Sequence, residues 1–286
     1  MKKIIERLLM FIIAVPAVIA LVIFIPYHHN LAMNIVAIFL SGIGALELSS
    51  MLKKKNIFIT KVESFIYGIL APLSLTLHIS FNLPEWIVPT FVMAGVGWAL
   101  LSGVFSRSAE IENAVNKVIG GFSLLVYPGF FMYWLIKMNV WENNYAILIF
   151  LLITFATDSL GWFFGSLFGE KNRGIIAVSP NKSIAGFIGG ILGSVIVPVC
   201  AVLIYSGVFP LSEEAPLSNL ILISLIIGFC TGIAAALGDL AESAIKRSCD
   251  FKDSGNLMLG RGGILDSIDS IVVAAPVFYF LYCLFI

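Results

Sequence analysis

About nine stretches of roughly twenty mostly apolar residues run along this chain, and no other feature limits its fold so strongly. They cover approximately residues 8–25, 31–52, 64–81, 86–105, 118–138, 145–168, 184–209, 217–237 and 264–285. In hydrocarbon every backbone N–H and C=O must find a partner within the protein, so only helices and closed barrels cross a bilayer. A barrel strand reads as about ten residues of alternating polarity. These runs are longer and do not alternate. They predict an all-α polytopic membrane protein with about nine transmembrane helices. Charged residues make up 12% of the chain, half the roughly 25% usual in soluble domains, so most of the chain is expected in lipid. Residues 1–140 are read as N-terminal transmembrane helices and 141–286 as a C-terminal transmembrane catalytic region, together one integral membrane unit.

Charge placement orients the helices. Of the 17 Lys and Arg, only Lys137 falls in an odd-numbered connection. The rest sit at the N-terminus (Lys2, Lys3, Arg7) or in even-numbered connections: Lys53, Lys54, Lys55 and Lys61, then Arg107 and Lys117, then Lys171, Arg173 and Lys182, then Lys246, Arg247, Lys252 and Arg261. The positive-inside rule makes that side cytoplasmic. The N-terminus is expected inside and the C-terminus outside. Residues 8–25 are too long for a signal-peptide core and end in no small-residue cleavage site, so they are read as an uncleaved first helix. Cys200, Cys230, Cys249 and Cys283 lack metal-ligand spacing and are read as packing residues. His28, His29 and His78 lie in or near connections on the opposite side.

Chemistry is expected where polar residues gather on the charged side. If helical, the stretch from Gly238 to Arg247 puts Asp239, Glu242, Ser243 and Lys246 on one face, and Asp250 follows on that face one turn beyond Lys246. An amphipathic helix with that face in water carries equal weight at this point. Lys252 and Asp253 continue the mixed charge. Gly262 and Gly263 then precede a helix opening with Asp266 and Asp269, one turn apart. Glycines before a helix let backbone N–H groups approach an anion. Carboxylates at that depth are costly unless paired or cation-bound. Bases and carboxylates mixed in one segment suit a phosphate chelated through Mg²⁺. Asp158, inside an apolar run, is a functional candidate by default. Ser179, Lys182 and Ser183 flank Pro180 and Asn181 at the start of the next helix, a natural anion site. Glu47 is weighed evenly between structural and functional roles. Gly42, Gly44, Gly95 and Gly97 are read as packing glycines.

The stretch from Ser243 to Asp269 (SAIKRSCDFKDSGNLMLGRGGILDSID) closely resembles the signature of phosphatidate cytidylyltransferases. The stretches from Asp158 to Gly169 (DSLGWFFGSLFG) and from Ser179 to Gly190 (SPNKSIAGFIGG) are similar to the family as well. Where the family usually has Pro, His and Arg, this chain has Leu259, Arg261 and Ser267. Arg261 keeps a cation but cannot shuttle a proton near neutral pH.

The resemblance implies transfer of the cytidylyl group of CTP to phosphatidic acid at the cytoplasmic face of the cell inner membrane, in phospholipid biosynthesis. It implies Mg²⁺ on Asp239, Glu242, Asp266 and Asp269. Lys246, Arg247, Lys252, Asp253 and Asp158 are expected to act in catalysis. Ser179, Lys182, Ser183, Arg261, Gly262 and Gly263 are expected to hold the phosphates. The partners expected are CTP, phosphatidic acid and the lipid bilayer, with no nucleic acid; a homodimer is an open option. Transfer to another lipid phosphate, a non-catalytic paralogue that binds lipid phosphate, and an ion-coupled transporter remain alternatives.

Overall fold

The computed structural model describes residues 16–104, 113–141, 143–209, 216–258 and 262–285. Among them the all-α architecture expected from the apolar runs is realised, with no strand beyond two isolated bridges. Residues 16–24 are helical; the start of that first expected span lies outside the described residues. The helices that follow are α1 (Tyr27–Leu52), α2 (Lys61–Phe81), α3 (Ile87–Leu101), α4 (Ala114–Leu124), α5 (Phe131–Lys137), α6 (Asn144–Phe168), α7 (Ile184–Ile204), α8 (Leu217–Ser248) and α9 (Leu265–Phe285). A π-helical turn, Leu125–Phe130, joins α4 to α5 around Pro128, whose missing N–H cannot continue the α-helical ladder. With that turn counted, seven helical tracts among the described residues are long and apolar enough to cross a membrane.

Two elements differ from the apolar runs. Helix α3 has only 15 residues. Helix α8 does not stop at residue 237 but continues through the polar stretch to Ser248. Asp250, in the left-handed region at φ 62°, turns the chain out of it.

The chain divides into two compact units, residues 1–140 with 245–268, and residues 141–244 with 269–286. In the first unit α1 packs closely on α2. A methyl group on Gly68 would collide with Ala45 and with the Ser41 carbonyl. The Ser41 hydroxyl lies 2.6 Å from the Gly68 carbonyl and 2.8 Å from that of Pro128. It thereby ties α2 and the π turn to α1. Asn139 donates to Asn34, and Asn30 donates to Asn139 at 3.0 Å, which links α1 to the segment after α5. Gly42 and Gly95 pack as expected, but Gly97 faces open space with nothing within 4 Å of a Cβ position.

In the second unit α6 and α7 meet backbone to backbone. Gly186 approaches the Gly161 carbonyl, Gly190 that of Thr157 and Gly193 that of Ala156. Between membrane helices such small residues replace the missing hydrophobic drive with close van der Waals contact. Gly228 and Gly232 of α8 fit against Ser194 of α7, and Gly238 against the Asp269 carbonyl of α9. These contacts carry Asp158, Lys182, Asp239 and Asp269 to fixed positions.

Candidate active site

The polar face of α8 points inward. Glu242 is fully buried and Lys246 is 9% exposed, whereas Leu237, on the apolar side, is 55% exposed. A juxtamembrane helix with its polar face in water would show the reverse. Burying a charge costs several kcal/mol unless partners compensate, and for Lys246 the compensating partner is Asp266.

In the second unit the Lys182 ammonium pairs with Asp239 at 2.6 Å, both side chains partly exposed, and lies 5.6 Å from the centre of the Phe187 ring. Its loop is shaped locally. The Gly174 N–H donates to the Pro180 carbonyl at 2.9 Å, and Arg173 and Ser183 form an isolated bridge. Ser183 caps α7, its hydroxyl oxygen accepting the Gly186 N–H at 3.1 Å. Ser183 is buried in this role, while Ser179 is partly open. From α6, Asp158 accepts the Ser270 hydroxyl at 3.2 Å. Asp269 is buried, accepts the Ser270 N–H at 2.6 Å, and feels the like charges of Asp239, Asp158 and Glu242. Ser243 donates to Asp239 at 3.5 Å. Asp158, Lys182, Asp239, Glu242 and Asp269 are therefore brought together, from four segments of the chain.

The first unit holds a second constellation. Lys246 pairs with one oxygen of Asp266, both side chains buried. The other oxygen accepts the Ser254 N–H at 2.8 Å, the Ser254 hydroxyl at 2.9 Å and the Gly263 N–H at 2.7 Å. Gly262 turns the chain at φ +108°, where a side chain would be strained and would strike Asp266 and Asp253. Glu47, reaching from α1, accepts the N–H groups of Ile264 at 3.0 Å and Leu265 at 2.8 Å and the Ser254 hydroxyl at 2.9 Å. The glycine-rich turn thus presents backbone donors to anions, but the anions are the protein's own carboxylates. The Gly263 N–H expected to meet a nucleotide phosphate is occupied by Asp266. Arg247, Lys252 and Asp253 are exposed, with Arg247 within 3.5 Å of the Phe251 carbonyl. Arg261 and Leu259 lie outside the described residues.

Among the described residues no three His, Cys, Asp or Glu side chains stand close enough to enclose a metal ion by themselves. The oxygen donors of Asp158, Asp239, Glu242 and Asp269 are nonetheless of the hard kind Mg²⁺ accepts.

The Cytidylyltransferase family matches residues 5–285. The chain belongs to this family. A phosphatidate cytidylyltransferase of Staphylococcus epidermidis is 30% identical over 266 residues, 91% of this chain and 94% of that one. That of Thermotoga maritima is 32% identical over 223 residues, 76% of this chain and 77% of the relative. That of Bacillus subtilis is 35% identical over 162 residues, 56% of each chain. Ser267 of this chain donates to the Gly263 carbonyl at 3.2 Å and so belongs to the same turn.

Proposed function

We propose that this chain transfers the cytidylyl group of CTP to phosphatidic acid, giving CDP-diacylglycerol and pyrophosphate, at the cytoplasmic face of the inner membrane. The observation that carries this reading is the inward polar face of α8, with Lys182 and Asp239 paired beside the carboxylates of Asp158, Glu242 and Asp269. The names of the relatives support the substrates, and the placement of Lys and Arg supports the sidedness.

In this reaction a phosphatidate oxygen attacks the α-phosphorus of CTP. A bond forms there as the bond from α-phosphorus to its bridging oxygen breaks, and pyrophosphate leaves with that electron pair. The attacking phosphate is already an anion near neutral pH, so no strong general base is needed. The protein's work is positioning and charge neutralisation.

In the second unit Lys182, with Ser179 beside it, is the cation for the lipid phosphate, and Asp158 is held by Ser270 to orient that region. Asp239, Glu242 and Asp269 would hold Mg²⁺. Such an ion is usually bound by one or two carboxylates together with substrate phosphates rather than in an all-protein cage, which suits a donor set not closed in advance. When bound, it would neutralise charge developing on the phosphoryl oxygens. Asp266, from the same expected set, already faces a cation, the Lys246 ammonium. Arg247 and Lys252 are exposed cations of the first unit.

The test is purified protein in detergent with labelled CTP and phosphatidate. Lipid-linked CMP and pyrophosphate should appear in equal amounts and vanish on chelation of Mg²⁺. Asp269→Asn should lower kcat by about 100-fold or more, as loss of a transition-state contact does. No CTP-dependent lipid product from well-folded protein would sink the reading.

A further inference from the structure

Glu47 has no assigned part in the chemistry above, yet its carboxylate meets two backbone N–H groups and a hydroxyl. It is 7% exposed and lies on α1, far along the chain from the segment it serves. One oxygen accepts the Ile264 N–H and the other accepts the Leu265 N–H and lies 2.9 Å from the Ser254 hydroxyl. Those two N–H groups belong to the start of α9, where no intrahelical acceptor exists. The glycines of the turn are matched to the same side chain. A methyl group on Gly255 would collide with one Glu47 oxygen, and one on Gly263 with the other.

The Ser254 hydroxyl lies at 2.9 Å from both Glu47 and Asp266. A hydroxyl has one proton to donate, so the two carboxylates share it, and Glu47 is coupled through Ser254 to the acceptor of Lys246. We propose that Glu47 is a positioning residue for cytidylyl transfer. It clamps Ser254 to Ile264 and Leu265 at the start of α9 and so fixes the Lys246–Asp266 pair, touching no substrate itself. This rests on the reading of the chain as a cytidylyltransferase, but the clamp itself is testable without turnover.

Glu47→Gln keeps size and one acceptor oxygen, and turns an amide N–H₂ toward backbone donors. Hydrogen exchange read on peptides spanning residues 254–268 should quicken by about tenfold or more, while those of α2 stay unchanged. In CTP-dependent transfer kcat should fall by about 10–100-fold, the scale of a misplacement near 1 Å, with KM for phosphatidate unaltered. Ser41→Ala, which removes a buried hydroxyl of the same helix that bonds α2 and the π turn, should lower the unfolding midpoint and leave kcat unchanged. Gly255→Ala should reproduce the effect of Glu47→Gln from the other side of the contact, and should add little in a Glu47→Ala background, where the collision is gone. Unchanged exchange in both Glu47→Gln and Gly255→Ala would overturn the clamp. Faster exchange with full kcat in both would overturn its role in positioning. If Glu47→Gln cannot be purified folded, Gly255→Ala alone decides by the same two readouts.

Discussion

A buried ion pair is easier to break than to build. The Lys246 and Asp266 side chains are taken out of water together, and Asp266 is braced by Ser254 and Gly263. Lys246→Met leaves that carboxylate without its cation, and removal of one partner of a buried pair costs about 3–5 kcal/mol. Unfolding in detergent should register that loss. Lys246→Met combined with Asp266→Asn should recover most of it, because an amide oxygen still accepts the turn's N–H groups and no lone charge remains. Equal losses in the single and double variants would mean that the pairing is not what stabilises this site. At this scale the sequence was legible wherever a charge interrupts an apolar run, since bilayer depth makes such a residue conspicuous. Asp158 and Asp269 interrupt such runs, and in the second unit they meet Lys182 and Asp239, which the sequence places in polar connections. Glu47 also interrupts an apolar run and is conspicuous for that reason, but its partner Ser254 could not be read the same way. Their bond joins residues 207 positions apart, and neither lies in a local pattern that announces the other.

Helices in this protein are set by what their glycines permit. On α7 a methyl group at Gly190 would stand 2.9 Å from the Thr157 carbonyl of α6, so α6 and α7 could keep their packing only by moving apart. Gly190→Ala should therefore destabilise by about 1–3 kcal/mol, the cost of overpacking. It should also slow CTP-dependent transfer, because Asp158 is the next residue after Thr157. Gly97→Ala is the matched control. With open space around it, the substitution gains helix propensity of up to about 1 kcal/mol and should be neutral or stabilising in the same unfolding measurement. A pattern of glycines in an apolar run reveals that helices approach closely, but not which glycine faces a neighbour. Gly97 was expected to pack and does not, because the outcome depends on helix rotation, which a weakly amphipathic membrane helix leaves unmarked. The length of α8 was hidden for a related reason. Its polar end reads as a connection by hydropathy, yet its residues have ordinary helix propensity and keep the helix going to Ser248.

Membrane topology turns on α3. Its 15 residues span about 22 Å at 1.5 Å per residue, short of a hydrocarbon core of about 30 Å. By length alone it could lie within one leaflet. The charges argue otherwise. Lys53, Lys54 and Lys55 precede α2, Lys61 opens it, and Lys117 lies within α4. With α2 across the membrane, both groups lie on one side only if α3 crosses too. Trp86 and Trp98, 65% and 50% exposed, suit interfacial anchoring near the two ends of α3, and local thinning of the bilayer costs only fractions of a kcal/mol per ångström. Single cysteines in a background free of the four native ones would decide it. In spheroplasts, Glu85→Cys should react with a membrane-impermeant maleimide from outside, while Lys54→Cys and Lys117→Cys should react only after lysis. Labelling of Lys117→Cys from outside, with Lys54→Cys protected, would mean that α3 does not cross. The succeeding helices would then be inverted, which would set the phosphate-handling loops on the side of the membrane without CTP.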